Sequence, residues 1–229
     1  MGNCRNTLSA ICLFQIFGGT IQNPFGLGIS KKTIRNLLDQ DWLIQISQNG
    51  YQLKTPPSDE LPSPYHLIDK PLPFKGTPFL YEKPSIGLGN LLSKYQFKTV
   101  IELGSSTGMS TIFIATFLPK NGKVLSISNW NDYDQLLSNV IRTKLTDSII
   151  PICHDPMDMP PRNLPKADVV YFNAPKDRDD ILTILNHWGK NGLKLCGHQQ
   201  SGAMEKNLLA YAKSRGLRYT AQGEFWVIT

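Results

Sequence analysis

Thr99-Val-Ile-Glu-Leu-Gly-Ser-Ser-Thr-Gly-Met-Ser110 is the stretch that decides the fold. Its first five residues suit a buried strand, with Glu102 the single charge among them. Gly104 and Gly108 then punctuate a short loop, and from Ser110 the apolar spacing becomes helical. A strand, a glycine-containing loop and a helix in that order build a nucleotide-like cofactor site at the carboxyl end of the first strand of a parallel α/β sheet.

The chain downstream keeps the same alternation. Residues 86–95 read as a short helix ahead of the first strand, 98–103, and 110–118 as the helix after it. Strands follow at 123–127, 149–153, 167–172 and 193–197, separated by helices at 133–144, 179–188 and 202–215. Residues 217–220 and 225–228 close the chain as a hairpin. Strands alternating with helices predict an α/β fold, a mostly parallel sheet covered on both faces, with the hairpin as an antiparallel edge.

Three upstream segments are less regular. At 55–84, eight prolines with Tyr65, His66, Phe74, Phe79 and Tyr81 among them make a stiff, extended connection. It reads either as a lid facing the substrate or as a surface wrap. At 30–54, Ser30 caps a helix bearing Ile34, Leu37 and Leu38 on one face, and Asn49-Gly50 predicts a hairpin between strands at 42–46 and 51–53. This unit covers the main domain or pairs two copies of it. At the amino terminus, Gly2 and Cys4 suggest acylation, although Asn6 replaces the expected Ser or Thr. Arg5 followed by the apolar run 8–17 and Gly18-Gly19 resembles a short export signal instead, and a third reading packs the segment on the domain. The expected organisation is an apolar segment at 1–22, an extension and lid at 23–83, and the main domain at 84–229. The expected location is cytoplasmic, with export or membrane association through residues 1–20 as the alternative.

Composition narrows the classes. Among 229 residues, four cysteines are too few for a disulfide scaffold, and no apolar run is long enough to span a bilayer. The net charge of +6 is carried by scattered Lys and Arg without interleaved aromatics, which is a solvated basic surface rather than a nucleic-acid footprint.

Taken in order, several phrases resemble the class I S-adenosylmethionine (SAM)-dependent methyltransferases, nearest to the methyltransferase 24 and small-molecule O-methyltransferase-like families. They are the loop at 102–110, Gly122-Lys-Val-Leu-Ser-Ile-Ser-Asn-Trp130, Leu137-Ser-Asn-Val140, Asp168-Val-Val-Tyr-Phe-Asn-Ala174, Cys196-Gly-His-Gln199 and Phe225-Trp-Val-Ile228. The resemblance implies a Rossmann-like, doubly wound, seven-stranded sheet with SAM as cofactor and a small-molecule methyl acceptor as partner. Gly104 and Gly108 would let the backbone pass close under SAM, and Ser105, Ser106 and Thr107 would hold its carboxylate. Glu102 would sit near the methionine end, Ser128 and Asn129 at the ribose, Asp155 at the adenine, and Asn173 at the rim.

The departures from the family run in one direction. Ser128 and Asn129 stand where an acid accepts the ribose hydroxyls, Asn173 replaces the usual Asp, and Gln199-Gln200 replace acids after the fifth strand. Amides are poor ligands for hard cations, so no metal is expected. His198 is the candidate general base, with a second-sphere hydrogen-bonding role as the alternative. His187 and Trp188 read as packing residues and Lys176 as solvated. The missing carboxylates leave a second functional reading open, a catalytically degenerate relative serving as a binding or effector module. The apolar amino-terminal segment offers a surface for a homodimer.

Overall fold

The computed structural model describes residues 14, 20–27, 29–39, 43–53, 61–62, 64–76, 85–173, 178–198 and 202–229. The acylation and export readings, apart from Phe14, therefore lie outside the described residues, as do Trp42, Lys176, Gln199 and Gln200.

The main sheet contains β4 (Thr99–Leu103), β5 (Lys123–Ser128), β6 (Ile149–Cys153), β7 (Ala167–Phe172), β8 (Gly192–His198), β9 (Tyr219–Gln222) and β10 (Phe225–Ile228). Their spatial order is β6-β5-β4-β7-β8-β10-β9. The first five are parallel, and β10 runs antiparallel to both β8 and β9. This is the expected mostly parallel seven-stranded sheet with an antiparallel terminal hairpin.

Strand alternation sorts the core into two layers. Ile101, Leu103, Val170, Phe172 and Trp226 belong to one apolar cluster, together with Ile181 and Leu185 of α5 (Arg178–Trp188) and Met204 and Leu208 of α6 (Gly202–Ser214). Val100, Val124, Val169 and Phe225 belong to the other. That second layer is completed by α2 (Ser85–Lys94), α3 (Met109–Phe117) and α4 (Tyr133–Thr143). Both faces are thus covered, which is what near-continuous apolar strands require.

The amino-terminal unit pairs β1 (Thr20–Gln22) with β3 (Gly50–Leu53), and β3 with β2 (Leu43–Gln45), beside α1 (Lys31–Asp39). Its Phe14, Ile21, Ile34, Leu37 and Leu43 join the first apolar cluster. Ser30 caps α1 as expected, its Oγ accepting from the Thr33 amide at 3.0 Å. Two expectations need correction. A third strand, β1, adds to the hairpin. The turn is also longer than an Asn49-Gly50 pair, because the Ile46 and Ser47 amides both donate to Gly50 O, and Gly50 itself begins β3. Gly50 lies close under two exposed side chains, where a Cβ would stand 2.4 Å from Ser47 Oγ and 2.6 Å from Gln22 Oε1 and would displace them.

Candidate cofactor and active site

The chain leaves the neighbouring strands β4 and β7 in opposite directions, toward β5 on one side and β8 on the other. The loops at their carboxyl ends diverge there and open a crevice. The loop from Gly104 to Gly108 enters it, with φ of 91° at Gly104, 46° at Ser106 and 87° at Gly108. Three left-handed residues in five turn the chain tightly, at no steric cost for the two glycines. Gly108 is constrained twice over, because a Cβ would lie 2.3 Å from Leu136 Cδ1. The loop ends are fixed by hydrogen bonds from the Gly104 amide to Ile127 O and from the Gly108 amide to Ser105 O, both 2.8 Å. Between them the amides of Ser105, Ser106 and Thr107 donate to no acceptor among the described residues. Consecutive free N–H groups leading into a helix amino terminus form a cradle for an anion such as a carboxylate.

Beneath this loop lies a buried hydroxyl network centred on Glu102. Ser110 Oγ donates to one carboxylate oxygen and Thr111 Oγ1 to the other, while Ser105 Oγ and Ser126 Oγ bond to each other. Glu102 is completely buried, and desolvation raises its pKa from 4.5 to about 7, against the opposing hydrogen bonds from Ser110, Thr111 and Ser105. Sequence reasoning singled out Glu102 and Ser105 but gave no such role to Ser110 and Thr111, which donate to Glu102, or to Ser126, which bonds to Ser105.

Asn173 extends the same network. Its Nδ2 donates to Gly104 O at 3.0 Å and to Ser110 Oγ at 2.9 Å, and the Tyr171 hydroxyl donates to its Oδ1 at 3.3 Å. The amide has a structural reason to be there: an ionised carboxylate at 173 would face the Gly104 carbonyl with no proton to offer. Asn173 thus holds the end of β7 against the glycine loop.

On the β5 side, Ser128 is buried and its carbonyl accepts from the His154 amide at 2.9 Å. Asn129 is exposed, and its Oδ1 receives only a 3.5 Å contact from the Asn131 amide. The acid on this rim is Asp132, whose Oδ2 accepts from Ser106 Oγ at 2.8 Å. It lies three residues beyond Asn129, as the last residue of a short 3-10 turn and the cap of α4. A search confined to the strand end passes it by; the signal was the acid just ahead of the next helix.

Asp155 closes a local turn, its Oδ1 accepting from the Met157 amide at 2.8 Å. His187 Nε2 bonds with Met159 O at 2.8 Å and Trp188 Nε1 donates to Pro156 O at 2.9 Å, so α5 pins this turn through both side chains. His198 ends β8 directly opposite Phe225 of β10. It is half-buried, its Nδ1 is enclosed without a hydrogen-bond partner among the described residues, and burial pulls its pKa below 6.5 while Glu224 acts in the opposite direction. The imidazole is neutral at pH 7 and able to accept a proton. Among the described residues, no three His, Cys, Asp or Glu side chains converge on one point. Cys153 and Cys196 are buried and form no disulfide with each other, on strands separated by three others.

The described part of the proline-rich segment is strapped along α4. Arg142 donates to the Pro71 and Leu72 carbonyls, Ser138 Oγ accepts from the Leu72 amide, and Gln135 Nε2 donates to Pro73 O. Asn139 is the hub. Its Oδ1 accepts from the Lys75 amide at 3.2 Å, and its Nδ2 donates to Lys75 O at 2.8 Å and to Thr107 O at 2.9 Å. One side chain therefore ties the strap to the glycine loop. Gly76 completes the contact at φ 129°, where a Cβ would meet Met109 Cγ at 2.8 Å.

No family model matches the sequence, and no curated protein matches it. Solved structures do. An O-methyltransferase from Bacillus cereus in complex with SAH aligns with a TM-score of 0.52 at 14% identity, over 69% of this chain and 83% of that one. The chain has the methyltransferase fold. A Streptomyces achromogenes O-methyltransferase involved in tomaymycin synthesis, in complex with SAM, aligns at 0.51 and 15% identity, over 63% of this chain and 77% of that one. Precorrin-6y C5,15-methyltransferase from Geobacter metallireducens aligns at 0.53 and 10% identity, over 68% and 91%. In this methyltransferase fold, the sheet order and the crevice described above come from the chain's own backbone, at identities too low to transfer individual residues.

Proposed function

We propose that the chain is a SAM-dependent methyltransferase acting on a small-molecule or exposed nucleophilic acceptor without a metal. The observation that carries this reading is the set of three amides, Ser105 to Thr107, unengaged among the described residues and set between two left-handed glycines at the switch point of the sheet. They fit the cofactor's carboxylate, and the solved neighbours in complex with SAM or SAH share the fold. We assign residues 84–229 as the catalytic domain and 23–83 as its cover.

Bound SAM supplies a methyl group activated by a positively charged sulfur. Ser105, Ser106 and Thr107 hold its carboxylate, and Gly104 and Gly108 keep the loop clear of side chains. Glu102 fixes the loop from below through Ser110 and Thr111. Asn173 clasps the loop to β7. Ser128 and Asn129, with Asp132 as the nearby acid, face the ribose, and Asp155 the adenine. His198 takes the acceptor's proton; with Nδ1 enclosed, Nε2 is the nitrogen left for that task. Amide-for-acid replacement at Asn173 supports a metal-free reaction, because positioning and proton removal then suffice.

The test is SAH formation from SAM, followed by mass spectrometry with a panel of phenolic and aliphatic hydroxyl acceptors. One or more acceptors should raise SAH above the acceptor-free control, and His198→Ala should lower that rate by about 100-fold. SAM binding without turnover on any acceptor would replace this reading by that of a binding module.

A further inference from the structure

A groove of about 380 Å³ lies on the flank of the sheet, between α2 and the β9–β10 hairpin. None of its lining residues belongs to the glycine-loop crevice. At one end α2 closes tightly on β10, because a Cβ at Gly87 would lie 2.5 Å from the Phe225 ring. Farther along, Asn90 and Lys94 of α2 face Arg218, Thr220 and Gln222 of the hairpin across the opening, with Phe225 and Leu91 also in the lining.

The side-chain charges here have one sign, although the terminal residue Thr229, paired through its backbone with Arg218, also lines the groove. Lys94 and Arg218 line the groove, and no acidic side chain does. Lys194 of β8 adds a third cation, its Nζ 4.5 Å from the centroid of the Tyr95 ring, with Lys94 Nζ 5.3 Å from the same centroid. Two ammonium groups share one aromatic ring, and among the described residues neither they nor Arg218 forms an ion pair with an acid. Cation–π contact stabilises each ammonium only modestly, so the cluster retains a positive potential that an incoming anion relieves. The volume falls in the range of small-molecule sites, and Asn90, Thr220 and Gln222 add hydrogen-bonding groups around an aromatic surface.

We propose that this groove binds a small organic anion, with its carboxylate or phosphate group at Lys94 and Arg218 and its body against Phe225 and Tyr95. The proposal does not depend on the methyltransferase reading. Two probes, citrate and inorganic pyrophosphate, are titrated separately by calorimetry into the wild-type protein and into the Lys94→Ala/Arg218→Ala double variant, with circular dichroism confirming that the variant is folded. Both substituted residues are exposed, so the fold should persist. Saturable binding of either probe, weakened about tenfold or more by the double substitution and by raising salt from about 20 to 200 mM, is the expected result. The stronger of the two probes identifies the carboxylate or the phosphate as the preferred group. Absence of saturable binding of both probes up to about 10 mM, or binding that the double variant leaves unchanged, overturns the proposal.

Discussion

Glu102→Gln should make the protein more stable at pH 8 than the wild type while leaving the two alike near pH 4.5. The side chain is completely buried, and its pKa stands at about 7 instead of 4.5. A group with a raised folded pKa binds its proton more tightly in the native state. Its stabilising contribution is therefore complete below 4.5 and is lost as pH rises through 7. Holding the proton from pH 4.5 up to about 7 corresponds to roughly 3 kcal/mol across that window. Glutamine keeps the shape and never ionises; its Oε1 still accepts from one of the two hydroxyls, Ser110 or Thr111, and the other turns to accept from its Nε2. Urea denaturation followed by far-UV circular dichroism at pH 5, 6, 7 and 8 measures the effect. Other titrating groups are common to both proteins and cancel in the difference. The stability gap in favour of the variant should widen through this range and level off above pH 8. A gap that stays constant with pH would refute the buried, proton-holding state assigned to Glu102.

Other perturbations probe the loop, the strap and the base. Gly108→Ala forces a left-handed φ of 87° on a side chain that also collides with Leu136, and should cost about 2 kcal/mol or more in chemical denaturation. Asn139→Ala removes the bonds to Lys75 and Thr107, and should cost about 2–3 kcal/mol while accelerating tryptic cleavage after Lys75; unchanged cleavage would show that the strap is held without it. Because burial lowers the pKa of His198, the acid limb of the turnover profile should lie at lower pH than an ordinary imidazole gives, and an acid limb shifted to higher pH would contradict this. Cys196 is completely buried in β8 with its thiol pKa pushed far up by that burial, so a thiol reagent should react with it only after denaturant is added.

The parallel run was legible in the sequence because burial on both faces writes each strand as an apolar block, and helices between the blocks leave a different period. The first strand, 98–103 by sequence, is Thr99–Leu103, and the helix expected at 110–118 is Met109–Phe117. The glycine loop was legible for a similar reason: Gly104 and Gly108 mark backbone that few other residues can follow. Features made by distant partners left no such mark. β1 is three residues long and exists through pairing with β3. The role of Asn139 depends on carbonyls 64 and 32 residues away, which no local pattern announces. Asp132 escaped notice because it closes a short turn that sets it off from the strand end. Asn173 looked like a weakened acid in sequence, whereas its contacts with Gly104 O and Ser110 Oγ call for a donor.

The central claim is that the glycine loop of this fold holds SAM. Calorimetric titration of SAM and SAH into the protein, repeated on Gly104→Arg with its fold verified by circular dichroism, tests it most directly. Saturable binding of both ligands that disappears in the variant is the predicted result. No binding at millimolar ligand, or binding that survives Gly104→Arg unchanged, would contradict the account.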